Sequence, residues 1–251
     1  MNGNNKSSGS APWKLLTLAA VLLAVLVAVF VLVRGGEKNP EGPADSTAGT
    51  EACDYTFTPE EEGVTAFTLE NGLAVRRYGS YIGVYMEDGS DEFVRDTMMI
   101  VVENTGDRAI QYAKIFLSGE AGEAQFTLTT LKPGDSMVVL EANRKSYGPG
   151  DVYTQARAEN VAFFTEEPTL EEDRLEIQPL EGGFNIRNIS GADIGGEIAV
   201  YFKDVAGDMF YGGITYVCRI REGLKDGEIR QVMSSNFTAS GSEVVFVRIS
   251  E

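Results

Sequence analysis

The chain has 251 residues, 43% hydrophobic, 10% aromatic and 24% charged, a composition that belongs to a folded protein rather than a disordered one. Its formal charge of −17 is unevenly spread: residues 1–36 hold Lys6, Lys14 and Arg34 without an acid, which leaves 18 basic against 38 acidic side chains, a formal −20, for the remainder. So negative a surface excludes nucleic acid and anionic headgroups as partners, and the absence of histidine excludes Ser-His-Asp and Cys-His nucleophiles, His-ligated zinc and iron, and His pH switches.

Residues 1–14 read as a polar cytoplasmic tail. Leu15 to Val33, LLTLAAVLLAVLVAVFVLV, follows with Thr17 as its only polar side chain. As a helix, these 19 residues would extend about 28 Å, close to the hydrocarbon thickness of a bilayer. Trp13 and Lys14 at one edge and Arg34 at the other suit interfacial anchoring, so the segment is expected to be a transmembrane helix. A cleaved signal peptide ordinarily has a shorter apolar core that ends in small residues, whereas this one runs into Val-Arg-Gly-Gly-Glu-Lys. The expectation is an uncleaved signal anchor with the C-terminal bulk extracytoplasmic. Residues 34–53, rich in Gly, Pro, Ser and Thr, read as a flexible linker with a reach of roughly 20 Å.

From there the apolar pattern is that of short strands broken by Gly, Asn and Asp. The alternation predicts strands over 66–69, 74–77, 81–86, 97–103, 112–117, 125–130, 137–141 and 152–157, and beyond Pro168 over 174–177, 184–187, 197–202, 209–217, 229–233 and 243–249. No amphipathic helix separates them. The fold class is therefore all-β, as antiparallel sandwiches, with the acidic stretch after Pro168 as the junction between a first domain, 54–167, and a second, 168–251.

The two halves resemble each other. Ile100, Val102 and Asn104 match Phe184, Ile186 and Asn188 at an offset of 84. At 85, Gly106 matches Gly191, Ala113, Ile115 and Leu117 match Ile198, Val200 and Phe202, and Ala121-Gly122-Glu123 matches Ala206-Gly207-Asp208. At 93, Leu131-Lys132-Pro133-Gly134-Asp135 matches Leu224-Lys225-Asp226-Gly227-Glu228, which requires eight extra residues around 214–220. A duplicated unit explains the order of these matches.

A strand ending in Asn, a Gly turn, a strand such as IAVYFKDVAGDMF with its Ala-Gly-Asp tip, and a Leu-Lys-x-Gly-acid turn together resemble bacterial Ig-like extracytoplasmic domains of the FxLYD and CARDB type. The resemblance covers 98–141 and 184–233, and the SGEAGEAQF hairpin of the first half departs from it. It implies tandem immunoglobulin-like antiparallel sandwiches used as spacer, adhesion or assembly units, with no catalytic residues.

The loop Glu87-Asp88-Gly89-Ser90-Asp91-Glu92 offers several oxygens to a calcium ion but lacks the full EF-hand spacing, so it reads as a solvated acidic turn. Glu60-Glu61-Glu62 and Glu171-Glu172-Asp173 could supply carboxylates for glycoside hydrolysis, but runs beside proline read as linkers. Tyr78, Tyr81 and Tyr85 with Met86, and Tyr201, Phe210, Tyr211 and Tyr216, are either an aromatic face or cross-strand packing. Arg144 to Gly150 is the one basic loop of the acidic region, and Asn188 and Asn236 read as turn asparagines within sequons. Cys53 and Cys218 are in no metal or redox spacing, and an oxidising compartment could join them.

These features lead to a non-catalytic, single-pass, membrane-anchored cell-surface module that binds an envelope protein or acts as a scaffold. They assign no catalytic, cofactor or metal residue. The alternative is a sensor ectodomain that binds calcium or a small ligand.

Overall fold

The computed structural model describes residues 54–58, 65–90 and 92–250. In chain order the strands are β1 (Asp54–Thr58), β2 (Phe67–Thr68), β3 (Leu73–Val84), β4 (Phe93–Asn104), β5 (Ile110–Gly119), β6 (Gly122–Leu131), β7 (Ser136–Leu140), β8 (Tyr153–Phe163), β9 (Leu175–Leu180), β10 (Gly183–Asn188), β11 (Ile198–Ala206), β12 (Met209–Ile220), β13 (Ile229–Met233) and β14 (Ser242–Ile249). A 3-10 turn over Glu70–Gly72 is the only helical element among the described residues, so the fold is all-β. No helix among them is long and apolar enough to cross a membrane; Leu15–Val33, the linker, Cys53 and Glu60-Glu61-Glu62 lie outside the described residues.

Side-chain alternation builds the cores. On β4, Met98, Ile100 and Val102 face one buried cluster while Met99 and Val101 face another, as the period of two in a strand requires. The segments 74–77 and 81–86 join as one strand, because Gly79 and Ser80 stay in register opposite Met99 and Met98.

Six strands recur. In the first repeat β3-β4-β7 form one layer and β6-β5-β8 the other; in the second the layers are β9-β10-β13 and β12-β11-β14. Leu73, Ile100, Ile115, Phe126 and Leu128 lie in the first core, and Leu175, Ile186, Val200, Cys218 and Ile220 in the second. The layers are not four separate sheets. β7 pairs in parallel with β12, Met137 opposite Phe210 and Val138 opposite Tyr211, so one layer of each repeat merges into an eight-stranded sheet. Residues Glu51–Glu251 accordingly form one compact unit.

Hydrogen bonds refine the alignment of the repeats. Ile110 pairs with Leu131 and Ile194 bridges Leu224, so the offset of 84 persists through Ile194, and the single inserted residue lies between there and Ile198 rather than in the Asn turn. Gly106 consequently corresponds to Ser190, not to Gly191.

Candidate functional site: the junction between the repeats

The surplus of the second repeat lies in the β11–β12 hairpin. Phe202 pairs with Tyr216 but Asp204 pairs with Tyr211, so residues 212–215 leave the ladder as a bulge. The bulge is therefore slightly upstream of the 214–220 expected from the repeat alignment.

Lys203, at the register break, is fully buried. Its Nζ donates to the carbonyls of Gly212 (3.4 Å), Gly213 (3.3 Å) and Ile214 (2.7 Å), holding the bulged backbone from within. The outer side of the bulge meets the first repeat. Gly213 N donates to both oxygens of Glu87 (3.1 and 2.9 Å), and Leu140 N donates to Glu87 Oε1 (2.9 Å). Thr129 Oγ1 donates to Gly213 O (2.8 Å), and the Thr129 and Thr215 hydroxyls are 2.8 Å apart. A Cβ on residue 213 would lie 2.0 Å from Thr127 O, so this approach requires glycine.

Glu87 is half-buried as a residue, but its carboxylate is turned inward. Burial pushes its pKa up to about 7, against the Leu140 and Gly213 amides and the Lys203 charge, which favour the anion. Burial pushes Lys203 down to about 7, with the charges of Glu87 and Asp204 opposing. One group comes from each repeat, and each charge favours the other.

A cleft of about 340 Å³ opens beside them, lined by Tyr85, Glu87, Thr127, Thr129, Arg144 and Gly213 among others. At its mouth the acidic and basic loops meet. Arg144 donates to Asp88 Oδ2 (2.7 Å) and to Glu92, and its guanidinium lies 4.5 Å from the Tyr85 ring centroid. Tyr85 OH donates to Glu141 O (3.0 Å), and burial pushes its pKa up to about 12. Glu141, 2% exposed, accepts from the backbone N–H groups of Gln125, Asn143 and Lys145 at 2.7–3.1 Å. The carboxylates that line the cleft, Glu87 and Asp88, are thus held by the chain's own donors, as is Glu141 between the lining residues Leu140 and Ala142.

The other candidates fall elsewhere. Asp88 Oδ1 accepts from Ser90 N, and Asp91 lies outside the described residues; among those described, no cluster of three or more Cys, Asp or Glu is disposed to hold a metal. Glu171 accepts from Thr169 Oγ1, and its carbonyl accepts from Leu175 N, which makes the Glu171-Glu172-Asp173 run a turn leading into β9. Tyr78, Tyr81 and Tyr85 are all buried, with Tyr78 edge-on to Tyr147 and Tyr153, and Tyr201 is stacked on Phe246 at 4.0 Å. The aromatics are packing, not a face. Asn188 is fully buried and cannot accept a glycan, and Cys218 is a buried free thiol.

The sequence brought Glu87 forward only as part of an acidic turn with oxygens for calcium, and it did not bring Lys203 forward at all. The one signal that pointed to them was the eight-residue surplus, since extra residues in one copy of a repeat mark where that copy does something the other does not. No family model, no characterised protein and no solved structure matches the chain.

Proposed function

We propose that the chain is a non-catalytic cell-surface module: a pair of immunoglobulin-like sandwiches, held outside the cytoplasm by an uncleaved signal anchor at Leu15–Val33, that contacts an envelope protein. The observation that carries this reading is the junction. A continuous sheet, the Glu87–Gly213 bonds and the Lys203 plug spend buried polar groups on fixing one repeat against the other, as a spacer or assembly unit requires. The cleft fits the same role, because the two carboxylates that line it, Glu87 and Asp88, already accept from the chain's own donors. The formal −20 of the outer region favours a partner with a basic contact surface.

Proximity labelling on intact cells, with the labelling enzyme fused at the C-terminal end, tests the reading. Enrichment of a particular envelope protein supports it. Labelling confined to cytoplasmic proteins would overturn both the topology and the role.

A further inference from the structure

β13 is the counterpart in the second repeat of β7 in the first, since each ends its repeat's layer beside the strand that closes on the matched asparagine, Asn104 on β4 or Asn188 on β10. In the first repeat that edge is covered by β12. In the second repeat β13 pairs only with β10, and its other edge is open among the described residues. Ile229 and Met233 are 61% and 62% exposed, the highest values among the exposed large apolar side chains of the described residues. With Gln231 they share one face of the strand by alternation.

Open edges are normally guarded against strand addition by proline, bulges, charge or a covering segment. Three other edges follow that rule. β9 carries Pro179, which faces Phe184 across the ladder. β8 carries the Arg157–Glu159 pair and the positive-φ Asn160. β14 donates Val247 N to Thr169 O of the segment beside it. β13 has no proline and no bulge, and its single charge, Arg230, is paired with Glu228.

We propose that β13 is a homotypic docking edge, on which a second copy of this chain adds its own β13 antiparallel about a two-fold axis at Gln231. In that register Ile229 lies opposite Met233 of the second copy, Arg230 opposite Val232, and Gln231 opposite Gln231. The exposed face then presents two apolar cross-strand pairs around one amide pair, and the two three-stranded layers become a six-stranded sheet. Self-complementarity favours a second copy over an unrelated strand. So does charge: Glu228 to Ser235 carries one acid and one base that neutralise each other, whereas the chain beyond residue 36 is −20, so this edge brings two copies together with least repulsion. The first repeat shows that the corresponding edge accepts a strand from a unit of the same kind. A five-residue strand buries less than a stable soluble dimer needs, so pairing is weak in dilute solution and strengthens with local concentration.

The test is disulfide trapping of the full chain in detergent. Gln231→Cys, on a Cys53→Ser background, is oxidised across a range of protein concentrations, with Gln178→Cys on the exposed face of β9 as control. Gln231→Cys should give crosslinked dimer at least about tenfold faster than the control, and Ile229→Lys with Met233→Lys should remove most of that advantage. Both lysine substitutions are at exposed positions, so the fold tolerates them. Equal rates at the two positions, or a rate indifferent to the lysines, would overturn the proposal. An Ile229→Cys chain trapped with itself faster than with Met233→Cys would overturn the antiparallel register.

Discussion

Asn104 and Asn188 make the same set of hydrogen bonds, one in each repeat. Asn104 Nδ2 donates to Arg108 O and Leu131 O, both at 2.9 Å, while its Oδ1 accepts from Gly106 N at 3.0 Å. Asn188 Nδ2 donates to Ala192 O at 2.7 Å and Leu224 O at 3.0 Å, and its Oδ1 accepts from Ser190 N at 3.0 Å. Even the backbone agrees: each asparagine N–H donates to the acid ending the Leu-Lys-x-Gly-acid turn, Asp135 O or Glu228 O, at 3.0 Å. The side chain ties two turns together at the end of each core, with both residues fully buried.

Asn104→Ala or Asn188→Ala should therefore each cost about 2–4 kcal/mol in urea unfolding, because one buried carbonyl, one part-buried carbonyl and an amide lose their partner. Asn→Asp at either site keeps the acceptor for the turn amide but loses both donations, so it should be no milder near neutral pH. A loss below about 0.5 kcal/mol would show that water replaces the side chain.

Gly213→Ala places a Cβ against Thr127 O and should destabilise the junction by at least ~2 kcal/mol. The effect should be local to the interface, so denaturation of the variant should separate into two transitions where the parent shows one. A single unbroken transition would mean that the repeats do not depend on this approach.

Stability should depend on pH through the junction. Glu87 has a folded pKa of about 7 against an ordinary 4.5, so between these values the folded protein holds a proton that the unfolded chain has released, and stability falls as pH rises. Lys203 has a folded pKa of about 7 against 10.5, so above neutrality the unfolded chain holds the extra proton and stability rises again. The two groups together place a trough near neutral pH. Glu87→Gln should flatten the falling limb and, by removing the charge that favours protonated Lys203, start the rising limb at lower pH. Unfolding midpoints measured across the window check this, and an unchanged acid-side slope would remove Glu87 from the account.

Cys218 is 6% exposed, and burial raises its thiol pKa while Ser234 opposes the shift. A thiol reagent should leave Cys218 unmodified in the folded protein and react once the chain is unfolded. Rapid modification of the native state would indicate frequent opening of the second core.

Much of this fold was legible because a strand with one buried face writes its period of two into the sequence; 229–233 was read with its observed bounds. The strand β1, DYTFT, was not, because five residues beside an acidic run carry too little alternation to stand out. Repeat matching found Asn104 and Asn188 but placed the first insertion at a glycine turn, because glycines align by identity while the hydrogen bonds align Gly106 with Ser190. The junction was hidden for a physical reason. Glu87 begins an acidic run that reads as solvated, and Lys203 follows an alternating strand in a position that reads as outward; both are turned inward only by the bulge at 212–215, a tertiary feature that no local pattern records. The acidic and basic loops looked unrelated because 52 residues separate Glu92 from Arg144.

Whether the junction fixes one repeat against the other can be read from the distance between spin labels at Gln155 on β8 and Gln178 on β9, in the full chain with Cys53→Ser. A fixed junction gives a single narrow distribution that broadens when Gly213→Ala is added. A broad distribution in the parent would contradict it.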